Sequence, residues 1–378
     1  MISNINDAPI RIAQIMGKWI GGGVEAVVMN YYRHIDRNKI QFDFFCDDDS
    51  TDIPYDEIQR LGGRVTLIPP YQKVLNYHKT LKKLLIEGNY QIVHSHINTL
   101  SVFSLCAAKA AKVPVRIAHS HSTSNKSEWK KNIVKNMLRP FSKVFSTHYF
   151  ACTEHAARYL FGNKTVDEGN VYILNNAIDL DKFEYNQEIR DRVRKELNIS
   201  DNTFVIGHVG RFVEQKNHKF LIDIFNEFHK KCDKSKLLLI GQGPLEDDIK
   251  NKVKDLTLND FVCFLGQRKD VNDMYQAFDL LLFPSLYEGL GIVVIESQVN
   301  GLPCICSDEV PEVVNLTNLV KFISLNLKEN IWAEELSKKT RDLNKSNLYK
   351  KIISDSGYNI HIESKKLIDK YLYLLKKI

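Results

Sequence analysis

Two glutamates, Glu288 and Glu296, stand eight positions apart in PSLYEGLGIVVIESQVNGLPCICSD, residues 284–308, with Gly289 and Gly291 between them. LLLFPS reads as a buried strand, and GIVVIESQVN as a helix closed by Gly301 with Pro303 beyond it. LYEGLG therefore turns a strand end into a helix start. Glycines there let the backbone approach a ligand, and the unpaired N–H groups of a first helical turn favour an anion or a hydroxyl-rich group. Glu288 falls in the turn and Glu296 about one helical turn deeper, so the two carboxylates can address different parts of one ligand, such as a sugar and a ribose. A plainer account makes both of them acids that complement the helix dipole.

Other stretches add to this chemistry. In VIGHVGRFVEQKNH a strand runs into Gly210 and Arg211, and Lys216 opens the next helix. Two cations at one strand–helix junction can neutralise a diphosphate, although a solvated arginine and a helix-start lysine would look the same. LLLIGQGPLEDDI brings a further strand–glycine–helix junction at Gly241 and Gly243, with Pro244 opening the helix. MGKWIGGGVEAVV places Gly21, Gly22 and Gly23 between the first strand and its helix. This is not the dinucleotide fingerprint, for want of a third spaced glycine, and no P-loop is present. QIVHSHIN and VRIAHSHSTSNKS carry His94, His96, His119 and His121 at two neighbouring strand ends. Four histidines so placed could hold a metal, or simply hydrogen-bond.

The elements that must position these residues are short apolar strands alternating with amphipathic helices. IRIAQIM, FDFFC, RVTLIP, QIVHSH, VRIAHSHS, HYFACT and VYILNN are the strands of the first half. FVIGHVG, KLLLIG, FVCFLG, LLLFPS, PCICSD and LVKFIS are those of the second. Continuous apolar strands, each followed by a helix, predict parallel sheets covered on both faces, and two such runs predict two doubly wound Rossmann-like α/β domains. Helices are expected at 23–36, 73–87, 98–112, 129–146 and 154–161, then near 216–232, 244–256, 270–277, 291–300 and 328–342. The charged stretch 179–202 reads as the break, giving domains over 1–185 and 186–359. The amphipathic SKKLIDKYLYLLKK near the end could dock on either domain, so the segment about 360–378 can pack back on the first.

Composition narrows the class. The chain has 378 residues, too many for one ordinary core, with 44% hydrophobic and 26% charged residues and a net charge of +6. This mild excess permits anionic small molecules or an acidic membrane surface and does not argue for nucleic acid. Seven scattered cysteines imply a reducing compartment, and Cys304 and Cys306 lie in a buried strand rather than in a redox or metal motif. The start lacks the basic and apolar runs of a signal peptide, and no run approaches 18 apolar residues, so a cytoplasmic protein is expected.

GGGVE, VGRFVEQKNH, GQGPLE, FLGQRKDV and PSLYEGLGIVVIE occur in the order and rough spacing of the retaining glycosyltransferases of family four, and the chain resembles that family from about residue 10 to 310. The tail LVKFISLNLKENIWAEEL resembles the branch that builds bacterial capsular or exopolysaccharide repeat units. The resemblance implies a GT-B fold, two parallel sheets facing across a cleft. It also implies a metal-independent, retaining hexosyltransferase that moves sugar from a nucleotide-sugar donor, UDP-linked, to a glycan or lipid-linked acceptor. The nucleotide sugar is a substrate, so no cofactor is implied.

On that resemblance Arg211 and Lys216 hold the donor diphosphate and stabilise the leaving group, with Gly210 beside them. Glu296 binds the ribose. Glu288 contacts the donor sugar near the reacting carbon, with the amides of Gly289, Leu290, Gly291 and Ile292 nearby. The 264–271 turn, with Gly266, Gln267 and Val271, sits against the base, and Gly22 and Gly23 close over phosphates and sugar. A histidine at an N-domain strand end lines the donor sugar; His119 and His121 both qualify. The chain departs from the family at three places: Leu290 stands in the E-G-F-G turn, NNAID (175–179) lacks the junction glycine, and SDEVPEV replaces a glycine pair. The rivals are a GT-B sugar-nucleotide epimerase, which needs no acceptor, and a silent GT-B partner subunit, which has no need of Arg211, Lys216, Glu288 and Glu296.

One stretch points to a surface. In 126–145, KSEWKKNIVKNMLRPFSKVF, Lys131, Lys135, Arg139 and Lys143 recur every four residues, as do Trp129, Ile133, Met137 and Phe141. A basic amphipathic helix of this kind suits the inner leaflet of a membrane and a peripheral enzyme with a lipid-linked acceptor. A solvated face on a core helix is the alternative, and Pro140 would kink the helix in either case.

Overall fold

The computed structural model describes residues 8–121, 137–338, 341 and 345–377. The chain forms two compact units, Met1–Ile178 with Ile360–Ile378, and Asp179–Asn359.

The first unit is built on seven parallel strands: β1 (Ile10–Gly17), β2 (Ile40–Asp47), β3 (Arg64–Ile68), β4 (Ile92–Ser95), β5 (Val115–Ser120), β6 (His148–Ala151) and β7 (Val171–Ile173). Their order is β3-β2-β1-β4-β5-β6-β7. β2, IQFDFFCD, is buried at every position, as a strand covered on both faces must be. The helices are α1 (Gly23–His34), α2 (Tyr55–Arg60), α3 (Val74–Glu87), α4 (Ser101–Ala110), α5 (Glu154–Phe161) and α6 (Asn163–Asp167). Strand alternation sorts the side chains into two layers. Ile12, Phe42, Phe44, Ile92 and Ile117 face α1, and Ile15, Phe45, Val93 and Ala118 face α3 and α4.

The second unit has six parallel strands: β8 (Phe204–Val209), β9 (Ser235–Ile240), β10 (Val262–Phe264), β11 (Leu280–Phe283), β12 (Cys304–Ser307) and β13 (Val320–Ile323), ordered β10-β9-β8-β11-β12-β13. Its helices are α7 (Leu180–Phe183), α8 (Gln187–Glu196), α9 (His218–His229), α10 (Glu246–Asp255), α11 (Val271–Ala277), α12 (Ile292–Val299), α13 (Glu329–Leu336) and α14 (Ser346–Ile353). Strand order reverses between β1 and β4 in the first sheet and between β8 and β11 in the second. Such reversal points open crevices beyond the strands' carboxyl ends, where ligands bind. All seven cysteines are free thiols, and Cys304 and Cys306 lie in β12 as expected.

After α14 the chain returns to the first unit as α15 (Ile360–Leu375). Ile360, Leu367, Ile368, Tyr371 and Leu374 enter the layer with Ile12, Phe42 and Ile117.

The charged stretch 179–202, read as the break, opens the second unit and folds there as α7 and α8. Arg194 of α8 is buried because its guanidinium donates to the carbonyls of Ala277, Ser200 and Thr203, while Arg190 pairs with Asp279 at 2.6 Å. The helix expected over 129–146 does not reach its end. Residues 122–136 lie outside the described residues, and Arg139–Lys143 is a 3₁₀ turn with Pro140 in its first turn. Met137, Phe141 and Val144 are exposed beside Arg139 and Lys143. Among the described residues no helix is long and apolar enough to cross a membrane.

Candidate functional site

In the second unit the residues singled out in the sequence gather at the carboxyl ends of β8 and β11. Gly210 and Arg211 follow β8. Val213 leads into a 3₁₀ turn, Glu214–Lys216, and Asn217, in the left-handed region at φ 55°, starts α9. Its side-chain amide donates to the Pro284 carbonyl at 3.2 Å, tying this loop to the one after β11. There Gly291, at φ 86°, precedes Ile292, the first residue of α12, and Leu290 is buried.

Lys216 Nζ meets Glu288 Oε1 at 2.6 Å, with side-chain exposures of 16% and 7%. The ammonium also lies 4.6 Å from the centre of the Phe283 ring, a cation–π contact. Gln215 Nε2 donates to the Tyr287 carbonyl at 3.0 Å and, more weakly, to Glu288 Oε2 at 3.4 Å. Arg211 is exposed, and its side chain makes no hydrogen bond among the described residues. One cation is thus held in place by an acid while the other is free to move onto a ligand.

Three glycine-bearing loops press together around this pair. The Gly241 amide donates to the Gly266 carbonyl at 2.9 Å. Gly241 sits at φ 137°, and a Cβ there would come within 2.1 Å of the Gly210 carbonyl oxygen. Only glycine lets the loops after β8 and β9 approach so closely. Gly266, at φ 66°, Gln267 and Val271, the first residue of α11, form the neighbouring junction after β10.

Glu296 projects from α12 and accepts from the Tyr275 hydroxyl at 2.8 Å. Part of the residue reaches the surface, yet burial pushes its carboxyl pKa up to about 7, opposed by the Tyr275 hydrogen bond. The carboxyl is poised to ionise when hydroxyl groups donate to it. Beneath the loops His208 is buried, its Nδ1 donating to the Leu282 carbonyl at 2.9 Å. Its Nε2 has no partner among the described residues and faces Gly210, 3.0 Å from where a Cβ on that glycine would stand. Burial holds His208 at about 4, so the ring is neutral beside Lys216. Sequence reasoning missed Gln215, Tyr275 and His208, whose residue types are ordinary in a helix start, a helix and a strand.

In the first unit Gly22 caps α1 and Gly23 begins it. Glu25 folds back so that its carboxylate accepts from the Ile20 amide at 3.2 Å, shaping the glycine loop. The four histidines form one buried group. His94 Nε2 lies 3.0 Å from His119 Nδ1, and His96 Nδ1 lies 2.9 Å from His121 Nε2. His94 Nδ1 is 2.7 Å from the Tyr371 hydroxyl of α15, and His96 Nε2 is 2.8 Å from Gln14 Oε1. Burial, and then the neighbouring rings, hold His94, His96 and His119 well below the usual histidine value; burial alone lowers His121 to about 3. His119 Nε2 is buried without a partner among the described residues. His94, His96 and His119 each offer a nitrogen within 4.8 Å of the others; His94 stacks on His96 at 4.2 Å and 29°, while His119 is tilted against His121 at 3.8 Å and 32° and against His96 at 5.3 Å and 45°. Both ring nitrogens of His94 and His96 and the Nδ1 of His119 are already engaged in hydrogen bonds, so the four rings form a hydrogen-bonded group.

Comparisons with known proteins agree with this geometry. Residues 21–182 match the family described as Glycosyltransferase Family 4, and residues 189–356 match Glycosyl transferases group 1. A Bacillus subtilis glycosyltransferase named EpsF is 35% identical over 88% of each chain. The Escherichia coli UDP-Gal:α-D-GlcNAc-diphosphoundecaprenol α-1,3-galactosyltransferase is 26% identical over 79% of each. The crystal structure of Anabaena HepE with UDP-glucose superposes with a TM-score of 0.75 over 96% of this chain and 99% of that one, at 17% identity.

Proposed function

We propose a specific reaction from the premise that this chain belongs to the family 4 glycosyltransferases of GT-B fold: retaining transfer of a hexose from a UDP-sugar to a glycan or lipid-linked acceptor in surface polysaccharide assembly. The observation that carries it is the Lys216–Glu288 pair beside the free Arg211 at the strand reversal of the second unit. In the proposed step the bond from the anomeric carbon to the diphosphate oxygen breaks, and the acceptor oxygen bonds that carbon on the same face. The acceptor's proton passes to the departing phosphate. Arg211 and Lys216 take up the charge that develops on the diphosphate, Glu288 orients the sugar, and Glu296 accepts from the ribose hydroxyls. Catalysis is then positioning plus charge stabilisation, with no cofactor and no metal in the step.

The named substrates of the Escherichia coli relative, UDP-Gal and a diphosphoundecaprenol-linked sugar, support this donor and acceptor class. The exposed Met137, Phe141 and Val144 beside Arg139 and Lys143 support contact with an anionic membrane surface, where such an acceptor would lie.

The test is calorimetry and transfer assays with a panel of UDP-sugars and undecaprenyl-diphosphate sugars. Binding of a UDP-sugar, and transfer that retains the anomeric configuration and leaves the sugar otherwise unaltered, is the expected result. Lys216→Ala should lower turnover about 100- to 1,000-fold, roughly 3–4 kcal/mol of barrier, without changing the circular dichroism. Undiminished turnover in that variant, or no association with any nucleotide sugar, would defeat the assignment.

A further inference from the structure

Two helices of the first unit close over the buried histidine group. Val27, Val28 and Tyr31 of α1, with Leu367 and Tyr371 of α15, line the small cavity against its rings. α1 is tied into the fold between β1 and β2, whereas α15 follows every strand of the chain and no strand depends on its path. α15 is therefore the cover that can leave while the sheet stays whole, as a terminal helix does when a domain opens locally. It touches the rings through the Tyr371 hydroxyl, 2.7 Å from His94 Nδ1.

The hydrogen bonds of the group suit neutral rings. Gln14 Oε1 can only accept, so His96 carries its proton on Nε2 and accepts at Nδ1 from His121 Nε2. His94 Nε2 and His119 Nδ1, 3.0 Å apart, likewise share one proton. Each pair can take up one more proton and rearrange, but a second would set two N–H groups head to head. Among the described residues no carboxylate lines the cavity to offset that charge. The other titratable groups facing it are Tyr31 of α1 and Tyr371 of α15, whose hydroxyls burial keeps protonated. β1 and β2 present Gln14 and Phe42, and Phe150 of β6 packs edge-on against His94 at 5.1 Å. Glu363 of α15 acts on Tyr31 and is paired with Lys366 at 2.7 Å.

Burial, then the neighbouring rings, holds His94, His96 and His119 well below the ordinary histidine value of 6.5, and burial holds His121 at about 3. A ring released to solvent takes up a proton below about 6.5, and the closed group refuses it. Closure is therefore fully stable above that value and weakens as pH falls beneath it. Each ring that opening exposes favours the open form about tenfold more at pH 5.5 than at pH 7.5, so His94 and one bonded neighbour together give about 100-fold. We propose that the histidine group is an acid-sensitive latch, which holds α15 on the first sheet while its rings are neutral and frees the helix when they are protonated.

Hydrogen exchange read by mass spectrometry on the full chain tests the latch, each peptide being referred to its own unstructured rate at the same pH. From about pH 7.5 to about pH 5.5 the protection of 360–377 should fall about 100-fold. α3 packs in the layer on the opposite face of the sheet and should keep its own protection to within about threefold. His94→Asn, which leaves an uncharged group beside Tyr371, should shrink the acid loss about tenfold. Tyr371→Phe keeps every histidine; it should lower the protection of 360–377 at both pH values and leave their ratio unchanged, and it serves alone if His94→Asn does not fold. Equal protection of 360–377 at the two pH values, a loss shared equally by α3, an undiminished acid response in folded His94→Asn protein, or wild-type protection at pH 7.5 in Tyr371→Phe would each overturn the latch.

Discussion

Raising the pH from about 5 to 8 should weaken the ligand-free fold through Glu296. In the unfolded chain this carboxyl ionises near 4.5, whereas in the folded protein burial holds it near 7. Between those values the folded state binds the extra proton, so stability must fall as pH rises. The contribution is fully present below about pH 4.5 and is lost as pH climbs towards 7. Linkage with these two constants gives a loss of at most about 2.5 kcal/mol between pH 5 and 8, less where solvent reaches the group. Other groups titrate over the same interval, so the informative quantity is the difference between wild type and Glu296→Gln, which keeps an acceptor for Tyr275 but cannot ionise. Urea unfolding of both proteins at half-unit pH steps should show the gap between them shrinking with rising pH on the wild-type side. Parallel curves for wild type and variant across the whole interval would refute the reasoning. They would mean that Glu296 is solvated in the folded protein and ionised at neutral pH, and its place as a hydroxyl acceptor poised for a ligand would fall with that.

Two further perturbations address the scaffold. Gly241→Ala puts a methyl group 2.1 Å from the Gly210 carbonyl at a φ of 137°, so it should cost about 1–3 kcal/mol and impair UDP-sugar binding; a melting curve and affinity equal to wild type would contradict the close packing of the loops. Deleting residues 360–378 removes Leu367, Tyr371 and Leu374 from the first core and should yield aggregated protein on gel filtration, so a monomer with native near-ultraviolet dichroism would show that α15 is dispensable.

The strands were legible because a parallel sheet buried on both faces demands unbroken apolar runs, and those runs punctuate the sequence from IRIAQIM to LVKFIS. Their spatial order was not legible, since nothing in β8 or β11 marks them as neighbours. The same limit hid the partnership of Lys216 with Glu288, which are separated by 72 positions and meet only because their strands are adjacent. The burial of Arg194 was illegible for a different reason. Charge suggests solvent, but a guanidinium with several carbonyl partners can be buried, and those partners lie in two separate segments, Ser200–Thr203 and Ala277. Pro140 was read as a kink, whereas the described chain beyond it turns as a short 3₁₀ segment.

The return of α15 has a consequence for biosynthesis. Tyr371 completes a layer with Ile12, Phe42 and Ile117 and meets His94, made 277 residues earlier. At a synthesis rate of about 5–20 residues per second, the leading half of the nascent polypeptide waits roughly 10–40 s for its closing piece while the whole middle segment is translated. During that interval the groove awaiting α15 is an open greasy surface, so full-length output in the cell should depend on holdase capacity more than the finished molecule's resistance to heat would suggest.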